Sequence, residues 1–123
     1  MFYNILAVFV GGGIGATIRY LLTYSSQSLF DKSIYATLII NLLGCLVMGC
    51  IFGITSNRIQ DFNPVWKLFI TVGFLGGLTT LSTFSLEGFQ MLKNGQVIYG
   101  LLYIAGTTIF SVLLTYLGYL IGK

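Results

Sequence analysis

Within one apolar run, residues 73–84 read GFLGGLTTLSTF. Thr79, Thr80, Ser82 and Thr83 bring hydroxyls into it, and Gly76 and Gly77 bring low helix propensity. On another apolar run, Asn41 follows Thr37 by one helical turn and shares its face. On a third, Thr108, Ser111 and Thr115 are spaced i, i+3, i+7. An amide carries two N–H donors, and a hydroxyl carries one O–H donor with lone pairs to accept. These groups supply no nucleophile–base pair. Their chemistry is the replacement of water around a small ion, and the donors favour an anion. Phe84 adds to this, because the edge of an aromatic ring is electropositive. Carbonyls freed between Gly76 and Thr79 by a helix break have the opposite polarity and suit a cation.

Each of these residues also has a plainer use. Asn41 can make an interhelical hydrogen bond. Hydroxyls on apolar helices can bond back to their own backbone. Arg19 and Glu87 are the ionisable side chains well inside apolar segments. Arg19 sits near a segment end and can snorkel to an interface, and Glu87 lies one turn beyond Thr83. Each reads either as a charge in an aqueous vestibule or as an interface anchor.

The chain that must position these groups has 123 residues, 56% hydrophobic and 7% charged, with mean hydropathy +0.93. Soluble domains carry about 25% charged residues, so a soluble reading fits poorly. The net charge of +3 is scattered and forms no basic patch for nucleic acid. With no His and no CxxC, Cys45 and Cys50 read as packing residues and not as a zinc site. GGGIGA at residues 11–16 has no strand before it, so its likeness to a dinucleotide loop is accidental. An enzyme is not expected. The first ten residues lack a positive n-region and a small-residue cleavage site, and read as the start of a retained span.

A spanning helix needs about 20 mostly apolar residues. Residues 4–24, 33–55, 65–92 and 96–122 qualify, within a single domain over residues 1–123. Residues 25–32 and 56–64 read as polar loops, and Lys93, Asn94 and Gly95 as a tight turn. Tyr24, Trp66 and Tyr119 fall near span ends, where amphipathic rings favour the headgroup layer. The expected fold is an all-α membrane protein of four transmembrane helices with a broken third helix. Such a topology puts Arg58, Lys67 and Lys123 on one side and Arg19, Lys32 and Lys93 on the other. Lys and Arg bias normally sets orientation, and three against three sets none. A chain inserting both ways can form an antiparallel dual-topology dimer. The pairs Gly11/Gly15, Gly12/Ala16, Gly49/Gly53 and Gly118/Gly122 permit close helix approach without identifying the partner surface.

Over essentially its whole length the chain resembles the CrcB/Fluc family of small fluoride channels. The likeness is carried by GGGIGATIRY at residues 11–20, NLLG at 41–44 and GFLGGLTTLSTF at 73–84. It implies a dual-topology dimer in a bacterial cell membrane, with two antiparallel fluoride pathways built by both subunits. It further implies a central sodium ion held by backbone carbonyls, here those of Gly76 and Thr79. Asn41 would be the pore-lining amide and Phe84 one of two phenylalanines facing fluoride. Ser82, Thr83, Ser111 and Thr115 would form a polar track with Thr37 close by. Arg19 and Glu87 would lie toward aqueous vestibules. One position departs from the family pattern, since Leu81 stands where Phe is usual. Leucine has no ring edge, so three outcomes stay open: a homodimer that conducts with one ring per path, a homodimer that conducts poorly, or a heterodimer in which a paralogous subunit supplies the other ring. Two further classes compete. A small proton-coupled multidrug transporter would need a membrane-embedded carboxylate, typically in its first span, and this first span has none. A non-conducting scaffold subunit is the other.

Overall fold

The computed structural model describes residues 1–30, 33–57 and 63–123. The loop charges Lys32 and Arg58 lie outside the described residues. α1 spans Phe2–Phe30 and α2 spans Ile34–Asn57. The third crossing, Pro64–Lys93, is composite: α3 (Pro64–Leu68), a π-helical stretch (Phe69–Leu75), α4 (Gly76–Leu78) and α5 (Leu81–Lys93). α6 (Val97–Gly122) completes four helical segments long and apolar enough to cross a membrane. The described residues are helical apart from short connections, as the composition requires. The broken third crossing and the four spans are therefore both present.

Local chemistry sets several boundaries. Asn63 caps α3, its side-chain oxygen accepting from the Val65 N–H at 2.9 Å. Pro64 takes the first helical position, where its missing N–H costs nothing. α5 ends in a Schellman turn. There the Gln96 N–H donates to the Met91 carbonyl, the Gly95 N–H donates to the Leu92 carbonyl, and Gly95 has φ +77°. One boundary differs from expectation, because α1 continues through Phe30 where a polar loop from residue 25 was expected.

The small-residue pairs find their partners within the chain. Gly11 and Gly15 of α1 lie against the backbone of Phe69–Phe74 and Leu78, and Gly77 lies against Gly12. A Cβ on Gly77 would come within 2.5 Å of the Gly12 carbonyl oxygen. Gly49 and Gly53 of α2 likewise meet Thr115, Tyr119 and Gly122 of α6, and Gly118 meets Leu46 and Cys50. Two tightly seamed helix pairs result, α1 with the third crossing and α2 with α6. Contacts this close let dispersion and Cα–H···O interactions act where lipid removes any hydrophobic drive. Few apolar side chains are buried: Ala7, Ala36, Ile40, Leu75 and Phe84. Most large apolar residues face outward, as they must in lipid or against another subunit.

Candidate functional site at the helix break

The break is at Thr79–Thr80, after the glycines. Gly76, Gly77 and Leu78 remain helical, while Thr79 (φ −81°, ψ 156°) and Thr80 (φ −150°, ψ 118°) are extended. The preceding π-helical stretch already loosens the i→i−4 ladder, as π segments do near functional positions. Extended residues in a membrane helix release backbone groups that must be satisfied inside the protein. Asn41 satisfies two of them. Its Nδ2 donates to the Thr80 carbonyl at 3.1 Å, and its Oδ1 accepts from the Thr80 N–H at 2.8 Å. Arg19 satisfies a third, its Nε donating to the Gly77 carbonyl at 3.1 Å. Thr80 then starts α5, its Oγ1 accepting from the Thr83 N–H and donating to the Thr83 hydroxyl. Thr79 returns its hydroxyl to the Leu75 carbonyl at 2.8 Å. Among the described residues no donor reaches the Gly76 or Thr79 carbonyl across the gap.

Two cavities flank Thr80, which lines both. The larger, about 370 Å³, is a cleft between α2, α5 and α6. It gathers Asn41, Phe84, Ser111 and Thr115 of the expected path residues, together with Leu81, Thr107 and Thr108. The smaller, about 240 Å³, lies between α1, α2 and the break, and gathers Arg19, Thr37 and Thr83. Ser82 lines neither; it is exposed, 3.3 Å from the Thr80 hydroxyl. Phe84 is buried, with its ring centroid 5.3 Å from that of Tyr103 at an interplanar angle of 46°. Leu81, at the lip of the larger cleft, is 76% exposed.

The hydroxyls of α6 divide into two kinds. Thr108 and Thr115 donate to the Ile104 and Ser111 carbonyls at 2.8 and 2.9 Å, so their protons are engaged in their own helix. Among the described residues the buried Thr107 hydroxyl has no hydrogen-bond partner, and the Ser111 hydroxyl has none either, although the Ser111 carbonyl accepts from Thr115. Both residues line the cleft, but the Thr107 oxygen is itself fully enclosed, so the half-buried Ser111 holds the uncommitted hydroxyl there. Thr107 was not singled out from sequence. Spacing does not favour it: at 3.6 residues per turn Thr107 lies about 40° from Ser111 and about 80° from Thr115 around α6, and Thr108 about 60° and about 20°, so the two share that face.

Glu87 is buried, 6% exposed, and so is not open to solvent within the chain. Its Oε1 accepts from the Thr37 hydroxyl at 2.9 Å and the Ser33 hydroxyl at 3.1 Å, and its Oε2 accepts from the Tyr103 hydroxyl at 2.7 Å. Three O–H donors from α2, its N-terminal edge and α6 thus surround one carboxyl of α5. This cluster explains how an ionisable group is tolerated at depth, since buried charges require such compensation.

Apolar helices whose polar groups converge on a clamped break in the third crossing define a small four-span membrane protein. The chain belongs to the CrcB family, matching the description "CrcB-like protein, Camphor Resistance (CrcB)" over residues 6–119. It is 41% identical over 112 residues to the fluoride-specific ion channel FluC 1 of Yersinia pseudotuberculosis serotype I (strain IP32953), covering 91% of this chain and 84% of that one. It is 40% identical over 121 residues to the fluoride-specific ion channel FluC of Escherichia coli O1:K1 / APEC, covering 98% and 95%. It is 37% identical over 120 residues to the fluoride-specific ion channel FluC of Aquifex aeolicus (strain VF5), covering 97% and 96%. These relatives are named as channels and not as enzymes, and the chain is a multi-pass bacterial membrane protein.

Proposed function

We propose that the chain is a subunit of a passive fluoride channel, working as an antiparallel dual-topology dimer with two pathways. The observation that carries this is the larger cleft, where Asn41, Phe84, Ser111 and Thr115 come together. A small, strongly hydrated anion leaves water only where donors are already positioned and free. The half-buried Ser111 hydroxyl, with no acceptor among the described residues, is such a donor. Asn41 keeps one N–H beyond its clamp on Thr80, and Phe84 adds a ring edge. Thr83 and Ser82 extend the track around Thr80, and Thr115 orients the Ser111 segment. Thr37 lies in the smaller cavity beside Arg19, which supplies the vestibule's positive charge. Glu87 closes the far end of the track with Thr37 and Tyr103.

The sodium expectation fits the oxygens available. The Gly76 and Thr79 carbonyls accept nothing across the break, and Gly76 is exposed. A hard cation takes several such oxygens, and one chain offers two, so an inverted second copy would complete the set. When bound, sodium would supply positive charge that holds four carbonyl dipoles together at the seam between copies.

Fluoride enters cells as HF, ionises at neutral pH and is trapped, so a passive path suffices for export. The test is fluoride release from liposomes containing the purified protein, followed with a fluoride electrode. Fluoride should leave and chloride stay; no fluoride release, alone or with a paralogous chain, refutes the proposal. A second reading rests on Leu81, which is exposed at the cleft lip where a second subunit could pack on it. A paralogous partner bearing Phe there would complete the aromatic pair, and co-reconstitution would then exceed either chain alone.

A further inference from the structure

Two cavities that both suit an anion meet at one side chain. Among the described residues Thr80 alone lines both the larger cleft and the smaller cavity. Arg19 and Thr37 are on one side of it, and Asn41, Phe84 and Ser111 are on the other. Thr80 is held in place twice over. Asn41 bonds its N–H at 2.8 Å and its carbonyl at 3.1 Å, so the backbone cannot swing aside without breaking both. The Thr80 hydroxyl accepts from the Thr83 N–H at 3.3 Å and donates to the Thr83 hydroxyl at 3.1 Å, with the Ser82 hydroxyl 3.3 Å away. A β-branched side chain is also stiff about χ1. The partition between the cavities is therefore a methyl and a hydroxyl fixed on one Cβ.

We infer, resting on the channel reading, that Thr80 is the specificity-determining residue of the path. An anion crosses from the Arg19 cavity to the Phe84 cleft past its side chain, where the hydroxyl eases fluoride through and the methyl excludes chloride. A hydroxyl proton rotates to suit its acceptor, so the Thr80 O–H can turn from Thr83 to a passing fluoride and stand in for a lost water. Chloride is larger and less tightly hydrated, so it needs room more than it needs a donor. The same hydroxyl caps α5, and a capping role must be told apart from a selective one.

The experiment loads liposomes holding the purified protein with fluoride, chloride and isethionate, follows the release of each by ion chromatography, and checks each variant by thermal unfolding. Thr80→Ser keeps the capping hydroxyl and loses the methyl. Thr80→Val keeps the bulk and loses the hydroxyl, and Thr80→Ala loses both. Chloride release relative to fluoride should rise about fivefold or more in Thr80→Ser and about tenfold or more in Thr80→Ala, with isethionate retained. Thr80→Val should stay chloride-tight and release fluoride about tenfold more slowly. A residue that only caps α5 would instead leave Thr80→Val and Thr80→Ala alike in transport and Thr80→Ser like wild type. Where loss of the cap unfolds those two variants, Thr80→Ser decides on its own. A folded Thr80→Ser or Thr80→Ala protein that is chloride-tight, a Thr80→Val protein with wild-type fluoride release, or escape of isethionate overturns the inference and leaves the channel reading standing. Wild-type protein that releases no fluoride, alone or with a paralogous chain, refutes the channel reading and this inference with it.

Discussion

Asn41→Asp separates the two tasks of the residue at the centre of the site. The aspartate keeps an oxygen for the Thr80 N–H but loses the Nδ2 donor, leaving the Thr80 carbonyl facing a carboxylate. One orphaned, partly buried carbonyl costs about 1–3 kcal/mol, so the fold should weaken but persist. The effect on conduction should be larger. A fixed negative charge about 4 Å from a passing anion, at an effective dielectric constant of about 20, raises its energy by about 4 kcal/mol, or roughly 10³-fold in rate. Fluoride-electrode efflux measures the rate and thermal unfolding measures the fold. A folded Asn41→Asp protein that conducts within about tenfold of wild type would show that the anion does not pass Asn41.

Phe84→Ile removes the ring edge in the cleft and should slow efflux about 3–10-fold while assembly, checked by size-exclusion chromatography, is unchanged. Leu81→Phe adds a ring at an exposed position and should raise efflux of the chain alone roughly tenfold if the site is half of an aromatic pair. Thr107→Val keeps shape but deletes the orphan hydroxyl; stability should hold or rise by up to about 1 kcal/mol, read as an unchanged or raised unfolding temperature. Gly15→Ala drives a methyl into the Phe74 backbone and should cost about 1–3 kcal/mol, read as a lowered unfolding temperature.

The spans were legible because a bilayer imposes length and apolarity on every crossing. Their ends were less so: the polar residues Ser25, Ser26 and Gln27 continue α1, and Ser26 is buried there. The break was legible as a cluster of Gly and Thr, yet its glycines stay helical and the threonines open. Gly77 is needed instead for its contact with Gly12, a constraint invisible without the neighbouring helix. Asn41 stood out as an amide in an apolar run. Its partner, the backbone of Thr80, is 39 residues away and leaves no trace in side-chain spacing. The same holds for Glu87, whose hydroxyl donors come from Ser33, Thr37 and Tyr103. Thr107 and Thr108 are adjacent on α6, and only the packed helix shows which hydroxyl lacks a partner.

The central claim is that the cleft beside the Asn41–Thr80 clamp carries fluoride and rejects other halides. It is tested most directly by current through planar bilayers holding the purified chain, alone and paired with a paralogous chain, under opposed fluoride and chloride gradients. The account predicts current reversing at the fluoride equilibrium potential and indifferent to chloride. Reversal that follows chloride, or a silent membrane in both configurations, would contradict it.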